Sequence, residues 1–449
     1  MINEIDHISI TKILESEQFQ DIVNNSREFR DRIYTPFATL IIFIKQVLNP
    51  DKSCKKAVVD FIATLLIQGS SVSPSSNTGP YAKARQRLPE ETVKELVKLT
   101  GSSVGNNSLN EWKIYGREVK AFDGTTVKMA DTKANQERFP QHSNQSTGTG
   151  FPIARLLVII SLTVGSVIDY AVEAYKGKGT GEQSLLRRVF SSINENDIVL
   201  GDRYFPSFFV LADLQNIGAD GIFRGQAQRH YDFRKGDRIG KNDHVVDWSK
   251  PAKPKWMDQE SYDLYPESIR VREFKVGGNV YVTTFINAKK YHKRELANIY
   301  KLRWHIEITL DSIKTILGMD MLSCKTPEMV LKEIGVHFLG YNIIRTIIAE
   351  ACQRHNISPR SVSFKGAIQL LNSFLPHLIS QSREENMTSY AKMLFLIVKN
   401  KIGNRPGRVE PRMVKQRRKP FKPLNNPRHV EIDRLKNKIE KRAAKYAVA

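Results

Sequence analysis

The 449-residue sequence predicts a mixed α/β chain with a helical N-terminal region and a β-rich insertion. Three observations carry this. Residues 1–114 space their apolar side chains at helical period, whereas from residue 115 short apolar runs alternate with helical stretches. Four segments with strand-like alternation then occupy the neighbourhood of the 104 residues between Asp202 and Glu307, a span too long for one loop.

In chain order, Thr35 to Val47, Lys55 to Gln68 and Tyr81 to Leu88 read as helices, punctuated by Pro50, Pro74 and Pro80. The Ser-rich stretch from Gly69 to Gly79 reads as a loop. The short helix after it alternates Lys83, Arg85 and Arg87. That suits the basic helix of a helix-turn-helix-like element at DNA, or a solvated basic face.

A strand is expected to end at Asp123, within Val119 to Val127, and a second to reach Leu200 and deliver Asp202. An acid where a strand runs out, with Gly124 after one and Gly201 before the other, sits where a ligand can approach a sheet edge. Either Asp by itself is more often just a turn. Leu156 to Val164 and Val167 to Tyr175 form an apolar hairpin turning at Gly165-Ser166, and Gly177 to Gly181 breaks the chain before a helix from Glu182 to Phe190. That Gly-rich run lacks the Gly-Lys-Ser/Thr ending of a phosphate loop. Phe208 to Asn216 is helical.

Within the insertion, Phe223 to Arg229, His244 to Trp248, Ile269 to Val276 and Asn279 to Ile286 alternate like strands, with Gly277-Gly278 as a hairpin turn. Trp248 and Trp256 lie among Lys residues there. Aromatics beside cations suit stacking on an unpaired base; packing within the insertion is the alternative.

Tyr300 to Lys314 reads as one helix. Leu302, Ile306, Leu310, Ile313 and Leu317 form its packing stripe, and Tyr300, Arg303, Glu307, Asp311 and Lys314 a neighbouring polar stripe. Alone, Arg303 and Glu307 are also a common surface pair four residues apart. With Asp123 and Asp202, Glu307 makes a set of three hard oxygen donors of the kind that holds Mg²⁺, and two such ions roughly 4 Å apart stabilise both oxygens of an in-line phosphoryl displacement. Val330 to Arg354 and Phe364 to Ile379 follow as amphipathic helices.

The formal net charge is +22, from 69 basic and 47 acidic residues, which points to a polyanionic partner. Residues 401–449 carry 16 Lys or Arg against 4 acids, a net +12. Such density suits DNA phosphate neutralisation, or a solvated tail. No run of 18 apolar residues occurs and residues 1–20 carry four acids, so a cytoplasmic, non-membrane chain is expected. Cys54, Cys324 and Cys352 are odd in number and far apart, which suits reduced thiols. His292 and His305 read as surface or satisfied histidines.

The order Asp123, Asp202, Glu307, with Tyr-x2-Arg-x3-Glu-x6-Lys around the last, resembles the DDE transposases of bacterial insertion sequences that bear the YREK signature, the insertion-sequence-four family. Phe37 to Val58, Tyr81 to Pro89 and Asn404 to Lys419 are similar to that family's N-terminal and C-terminal motifs. The acidic triad shows no departure. The resemblance implies a ribonuclease H-like catalytic core in two parts, 115–226 and 287–384, split by a β-rich insertion at 227–286. A helical N-terminal DNA-binding domain at 1–114 and a basic C-terminal DNA-binding or interaction region at 385–449 flank it. It further implies cut-and-paste transposition through a DNA hairpin, with Asp123, Asp202 and Glu307 holding two Mg²⁺, for which Mn²⁺ can substitute. Tyr300, Arg303 and Lys314 would grip terminal phosphates, Arg203 would help place the phosphate, and Trp248 or Trp256 would take a flipped base. Lys83, Arg85, Arg87, Arg417, Arg418 and Lys419 would contact DNA. The implied partners are double-stranded DNA, as inverted-repeat ends and target, and a second copy in a synaptic homodimer, in the bacterial cytoplasm or on the nucleoid. A transposon-derived DNA-binding protein without catalysis, or another ribonuclease H-like nuclease, are the alternative readings.

Overall fold

A computed structural model of the chain describes residues 9–24, 33–70, 75–380, 383–403 and 424–447. Helices α1 (Ile10–Leu14), α2 (Glu17–Asn24), α3 (Pro36–Leu48), α4 (Cys54–Ile67), α5 (Gly79–Arg87) and α6 (Glu90–Asn106) come first. Their starts follow from local chemistry. Thr35 and Ser53 cap α3 and α4 by accepting from the Ala38 and Lys56 amides, and Pro36 opens α3 where its missing N–H costs nothing. Phe19, Leu40, Phe43, Leu96 and Val97 lie in the same apolar cluster as the sheet that follows. A smaller cluster of Tyr34, Ile42, Val58, Tyr81 and Ala84 holds α3, α4 and α5 together. Lys52 ties these helices to the far end of the chain, donating to the Leu317 and Gly318 carbonyls at 2.6 and 2.7 Å.

The mixed α/β part begins with β1 (Val119–Met129), α7 (Lys133–Arg138) and the hairpin β2 (Ile153–Ser161) and β3 (Val167–Ala174). Helix α8 (Glu182–Val189), β4 (Ile198–Gly201), α9 (Phe208–Asn216) and β5 (Asp220–Arg224) follow. Strands β1, β4 and β5 run parallel, and β2 and β3 antiparallel to β1. Near-continuous apolar runs such as Leu156 to Ile160 are explained by burial on both faces. One face packs against α6 and α13 (Pro327–Arg354) and the other against α8 and α9.

The insertion extends this same sheet. Strands β6 (Asp237–Gly240) and β7 (Asp243–Ser249), helix α10 (Gln259–Asp263), and β8 (Ser268–Val276) and β9 (Asn279–Thr283) add antiparallel strands through the β5–β9 pairing. With β10 (Met321–Leu322) against β1, the sheet has ten strands in the order β3-β2-β1-β4-β5-β9-β8-β7-β6. The segment expected as an insertion strand from Phe223 is β5, at the centre of that order, because its residues pair β4 on one edge and β9 on the other. Arg272 is buried in the insertion and pairs both Asp243 oxygens at 2.8 Å.

Helices α11 (Lys293–Lys301) and α12 (Trp304–Asp311) carry the signature segment, and α14 (Phe364–Ser380) and α15 (Arg383–Lys399) pack with α13 at the C-terminal side. Met393, Leu394, Ile397 and Val398 of α15 are buried in the large cluster. Helix α16 (Arg428–Ala447) exposes Ile432, Leu435 and Ile439. Cys54, Cys324 and Cys352 are free thiols. Among the described residues no helix is long and apolar enough to cross a membrane.

Candidate active site

The site grows from an opening in the sheet beside β1. Strand β2 pairs β1 along one edge from Lys120 to Lys128. A strand has two edges, so β4, which pairs Val119 to Ala121, and β10, which pairs Lys128 and Met129, must share the other. Between them residues 122–127 have no strand partner on that edge, and Asp202 leaves the end of β4 directly beside the opening. Asp123 therefore lies in the middle of β1. The expectation that its strand ends there is corrected: β1 continues to Met129, because Gly124 to Lys128 still pair with β2.

Alternation along β1 assigns the faces. Val119, Ala121, Val127 and Met129 belong to the large cluster and Phe122 to the other, so Asp123 and Thr125 point to the side where α12 lies against β1. Gly124 belongs to the α8 side.

The signature segment is two helices and not the single helix its periodicity predicts. The amides of Leu302, Arg303, His305 and Ile306 each bond the carbonyl three residues back, which tightens the chain between α11 and α12 without a Pro or Gly to announce it. After α12, Ser312–Ile316 forms a π turn. Ile306, Leu310, Ile313 and Leu317 are buried as expected. On the polar side, the Arg303 guanidinium bridges two acids, donating to Asp123 Oδ2 at 3.0 Å and Glu307 Oε1 at 2.8 Å. Lys314 Nζ stands 3.2 Å from Thr125 Oγ1. Tyr300 is half-buried, with its ring edge-on to Tyr281 at 5.3 Å.

Electrostatics follow the same geometry. Burial raises the Asp123 pKa; Arg303 and the Gly124 N–H oppose this, while Asp202 and Glu307 add to it. Burial works against the Arg303 charge, and Tyr300, Asp123 and Glu307 outweigh it, so its pKa rises. Burial also raises Tyr300, and the Asp202 charge adds to that. Asp202, half-buried, accepts from the Tyr204 amide at 2.8 Å. A fourth acid that the sequence reading passed over, Glu182, has its pKa raised by burial and then by Asp123 and Asp202. Its sequence signal, an acid at the first turn of a helix after Gly181, is too common to have marked it.

Among the described residues no three His, Cys, Asp or Glu side chains converge closely enough to grip a metal ion by themselves. The reason is visible: a guanidinium stands between Asp123 and Glu307 as a stand-in cation. The donors it separates are carboxylate oxygens, the chemistry that suits a hard divalent ion such as Mg²⁺, so the residues present fit one.

The remaining residues singled out in the sequence fall in several places. Arg203 is exposed beside Asp202. Trp248 is buried, its Nε1–H donating to Glu273 Oε1 at 2.8 Å and its face covered by Arg229 at 3.6 Å. Trp256 is 47% exposed, with the Arg187 guanidinium 3.7 Å over its ring. On α5, Lys83 and Arg87 face outward, whereas Arg85 is buried against Phe43 and Tyr81 and reaches Gln46 Oε1 at 3.2 Å. Asp311 is exposed and accepts from Thr315 Oγ1. His305 is half-buried, its pKa lowered to about 4 by burial and by Arg360 and Arg345. Arg417, Arg418 and Lys419, with the rest of Asn404 to Lys419, lie outside the described residues.

The transposase DDE domain family matches residues 114–343, just over half the chain and the span that contains all three acids. The chain is 25% identical over 354 residues to the transposase InsG for insertion sequence element IS4 of Escherichia coli strain K12, covering 77% of each sequence. It is also 29% identical over 80 residues to the transposase for insertion sequence element IS421 of Escherichia coli, which is 18% of this chain and 22% of that relative.

Proposed function

The chain belongs to the DDE transposases of the insertion-sequence-four family, and from that premise we propose that it excises and inserts its own element by cut-and-paste transposition through a hairpin intermediate. The observation that carries the reading is the meeting of Asp123 with Arg303 and Glu307, from 180 residues further along the chain, at the opening beside Asp202. A strand order of β3-β2-β1-β4-β5 with parallel β1, β4 and β5 supports a ribonuclease H-like core for 115–226 and 287–384.

In this reading Asp123, Asp202 and Glu307 hold two Mg²⁺, with Mn²⁺ as a substitute. When bound, the metal lowers the pKa of an attacking water or 3′-hydroxyl and stabilises the leaving oxygen. The protein's own contribution is alignment. Arg303 offers a planar fork to a terminal phosphate, and Lys314 a point charge on the same side of β1. Tyr300, packed on Tyr281, contributes a fixed hydroxyl, and Arg203 an exposed cation beside Asp202. Trp256 keeps an exposed ring for an unpaired base, whereas the Trp248 ring is held by Glu273 and Arg229. Lys83 and Arg87 face outward toward duplex DNA at the element's inverted repeats. The basic residues of 385–449 neutralise phosphate, and two copies pair the ends in a synaptic dimer.

Substitution tests this directly. Asp123→Asn, Asp202→Asn and Glu307→Gln each keep side-chain size and remove an anionic ligand, so each is expected to abolish Mg²⁺-dependent cleavage of end DNA while leaving end binding within a few-fold. Near wild-type cleavage by any one of them would remove that residue from the site.

A further inference from the structure

Lys52 leaves the turn between α3 and α4 and ends on the segment that carries Glu307 and Lys314. Its Nζ donates to the Leu317 and Gly318 carbonyls at 2.6 and 2.7 Å, oxygens of the kind that a helix end leaves without partners. The Leu317 amide closes the π turn on the Ser312 carbonyl, and the Met319 and Asp320 amides return to Ile313 and Lys314. Strand β10 then begins at Met321 and pairs Lys128 and Met129 of β1. Lys52 therefore clamps the corner between the π turn and β10, on the edge of β1 that carries the opening. On the helical side of the same corner Lys314 Nζ meets Thr125 Oγ1 at 3.2 Å. A π turn inserts a residue into the helical repeat, so the direction of Lys314 relative to Glu307 depends on how that turn is closed. Ile313, Leu317 and Met319 already bury the corner in the large apolar cluster. What the lysine adds is direction.

The clamp is itself anchored. Gln46, buried on α3, donates from Nε2 to the Lys52 carbonyl at 2.7 Å. Its Oε1 accepts from Tyr81 Oη at 2.8 Å and from Arg85 Nη1 at 3.2 Å. Tyr81 and Arg85 belong to α5, the helix whose Lys83 and Arg87 face outward. Gly318 makes room at the other end: its φ is +64°, and a Cβ there would fall 2.8 Å from Lys52 Nζ.

We infer that Lys52 is a positioning residue for DNA-end processing, which closes the π turn so that Lys314 is held toward Thr125 at the opening, and which joins that closure to α5 through Gln46. This rests on the transposase reading of the site, in which Lys314 meets a terminal phosphate. A purely structural tie between the N-terminal helices and the core would instead cost stability and lower every step together.

The test is a double-mutant cycle of Lys52→Met with Lys314→Ala in the full chain, beside thermal melts. The substrate is a labelled duplex carrying the element's own inverted repeat, saturated with protein in Mg²⁺, and gels resolve nicked, hairpin and flush-ended products. Lys52→Met keeps an unbranched stem and loses the donor, so hairpin formation should slow by about ten-fold or more while nicking falls much less, as loss of alignment implies. In the Lys314→Ala background the same change should slow it by no more than about two-fold, because residues that act through one contact are not additive. Gly318→Asn tolerates the left-handed φ and displaces only the flexible end of Lys52, so it should reproduce Lys52→Met and carries the test if that variant fails to fold. Effects that multiply in the double variant, or an equal loss of all steps that follows the melting temperature, would make Lys52 a structural tie and overturn the inference. A wild-type hairpin rate for Lys52→Met, with Lys314→Ala impaired, would overturn the inference alone. A wild-type rate for Lys314→Ala would overturn it together with the phosphate-gripping role of Lys314.

Discussion

Arg303→Ala removes the cation that separates Asp123 from Glu307 and should change metal affinity and catalysis in opposite directions. In the metal-free chain an incoming ion has to displace a guanidinium that makes charge-assisted hydrogen bonds of 3.0 and 2.8 Å to those two acids. Their side chains keep 21% and 38% of their surface and Arg303 18%, so the pair is screened and well short of a fully buried ion pair. A net worth of about 1–2 kcal/mol for the two bonds is the appropriate scale. With 1.4 kcal/mol to each factor of ten, Arg303→Ala should bind Mn²⁺ roughly ten-fold more tightly than wild type. Without metal it should melt slightly earlier, because two partly buried carboxylates then face each other. End cleavage should nevertheless fall, most at hairpin formation or resolution, since the fork for the terminal phosphate is gone. Calorimetric Mn²⁺ titration beside a gel assay that resolves nicked, hairpin and flush-ended DNA makes the measurement. If the variant bound Mn²⁺ more weakly, or as wild type does, the guanidinium would not be competing for the metal position and the stand-in role would fail.

Three other predictions address charge, packing and pH. Deleting 404–449 should flatten the salt dependence of duplex-DNA affinity, by about 0.9 in log-log slope for each phosphate contact removed; an unchanged slope would leave the tail a solvated appendage. Ile306→Ala, at a fully buried position, should lower stability by about 2–5 kcal/mol in denaturant titration and depress every activity together, whereas selective loss of one DNA-processing step would place Ile306 in the chemistry. His337 is fully buried with neither ring nitrogen partnered, and burial, then Lys52, lowers its pKa from 6.5 to about 3. The unfolded chain therefore takes up this proton first as pH falls, so its contribution is intact above pH 6.5 and is lost progressively toward pH 3. His337→Leu should flatten that acid limb, and an identical pH dependence of melting would refute the assignment.

By itself the sequence determined the elements whose information is local. The period of Thr35 to Val47, the turn at Gly165-Ser166 and the span Phe208 to Asn216 all appear as helix, hairpin and helix, because caps, glycines and apolar spacing act within a few residues. It also determined which acids to watch, since the Tyr, Arg, Glu and Lys spacing around Glu307 is a linear pattern. Only the tertiary structure decided how these meet. That β1 runs past Asp123, that the insertion strands continue one sheet, and that the signature segment breaks between Lys301 and Trp304 depend on strand partners and packing far away in the chain. The two tryptophans were equivalent as letters among lysines; burial against Glu273 and Arg229 separates Trp248 from the half-exposed Trp256. Glu182 was an unremarked helix-initial acid for the same reason. Its position over Gly124 is set by the one apolar core that takes Leu185, Leu186 and Val189 of α8 together with Phe122 of β1, and no spacing along the chain encodes a contact across a strand between residues 58 apart.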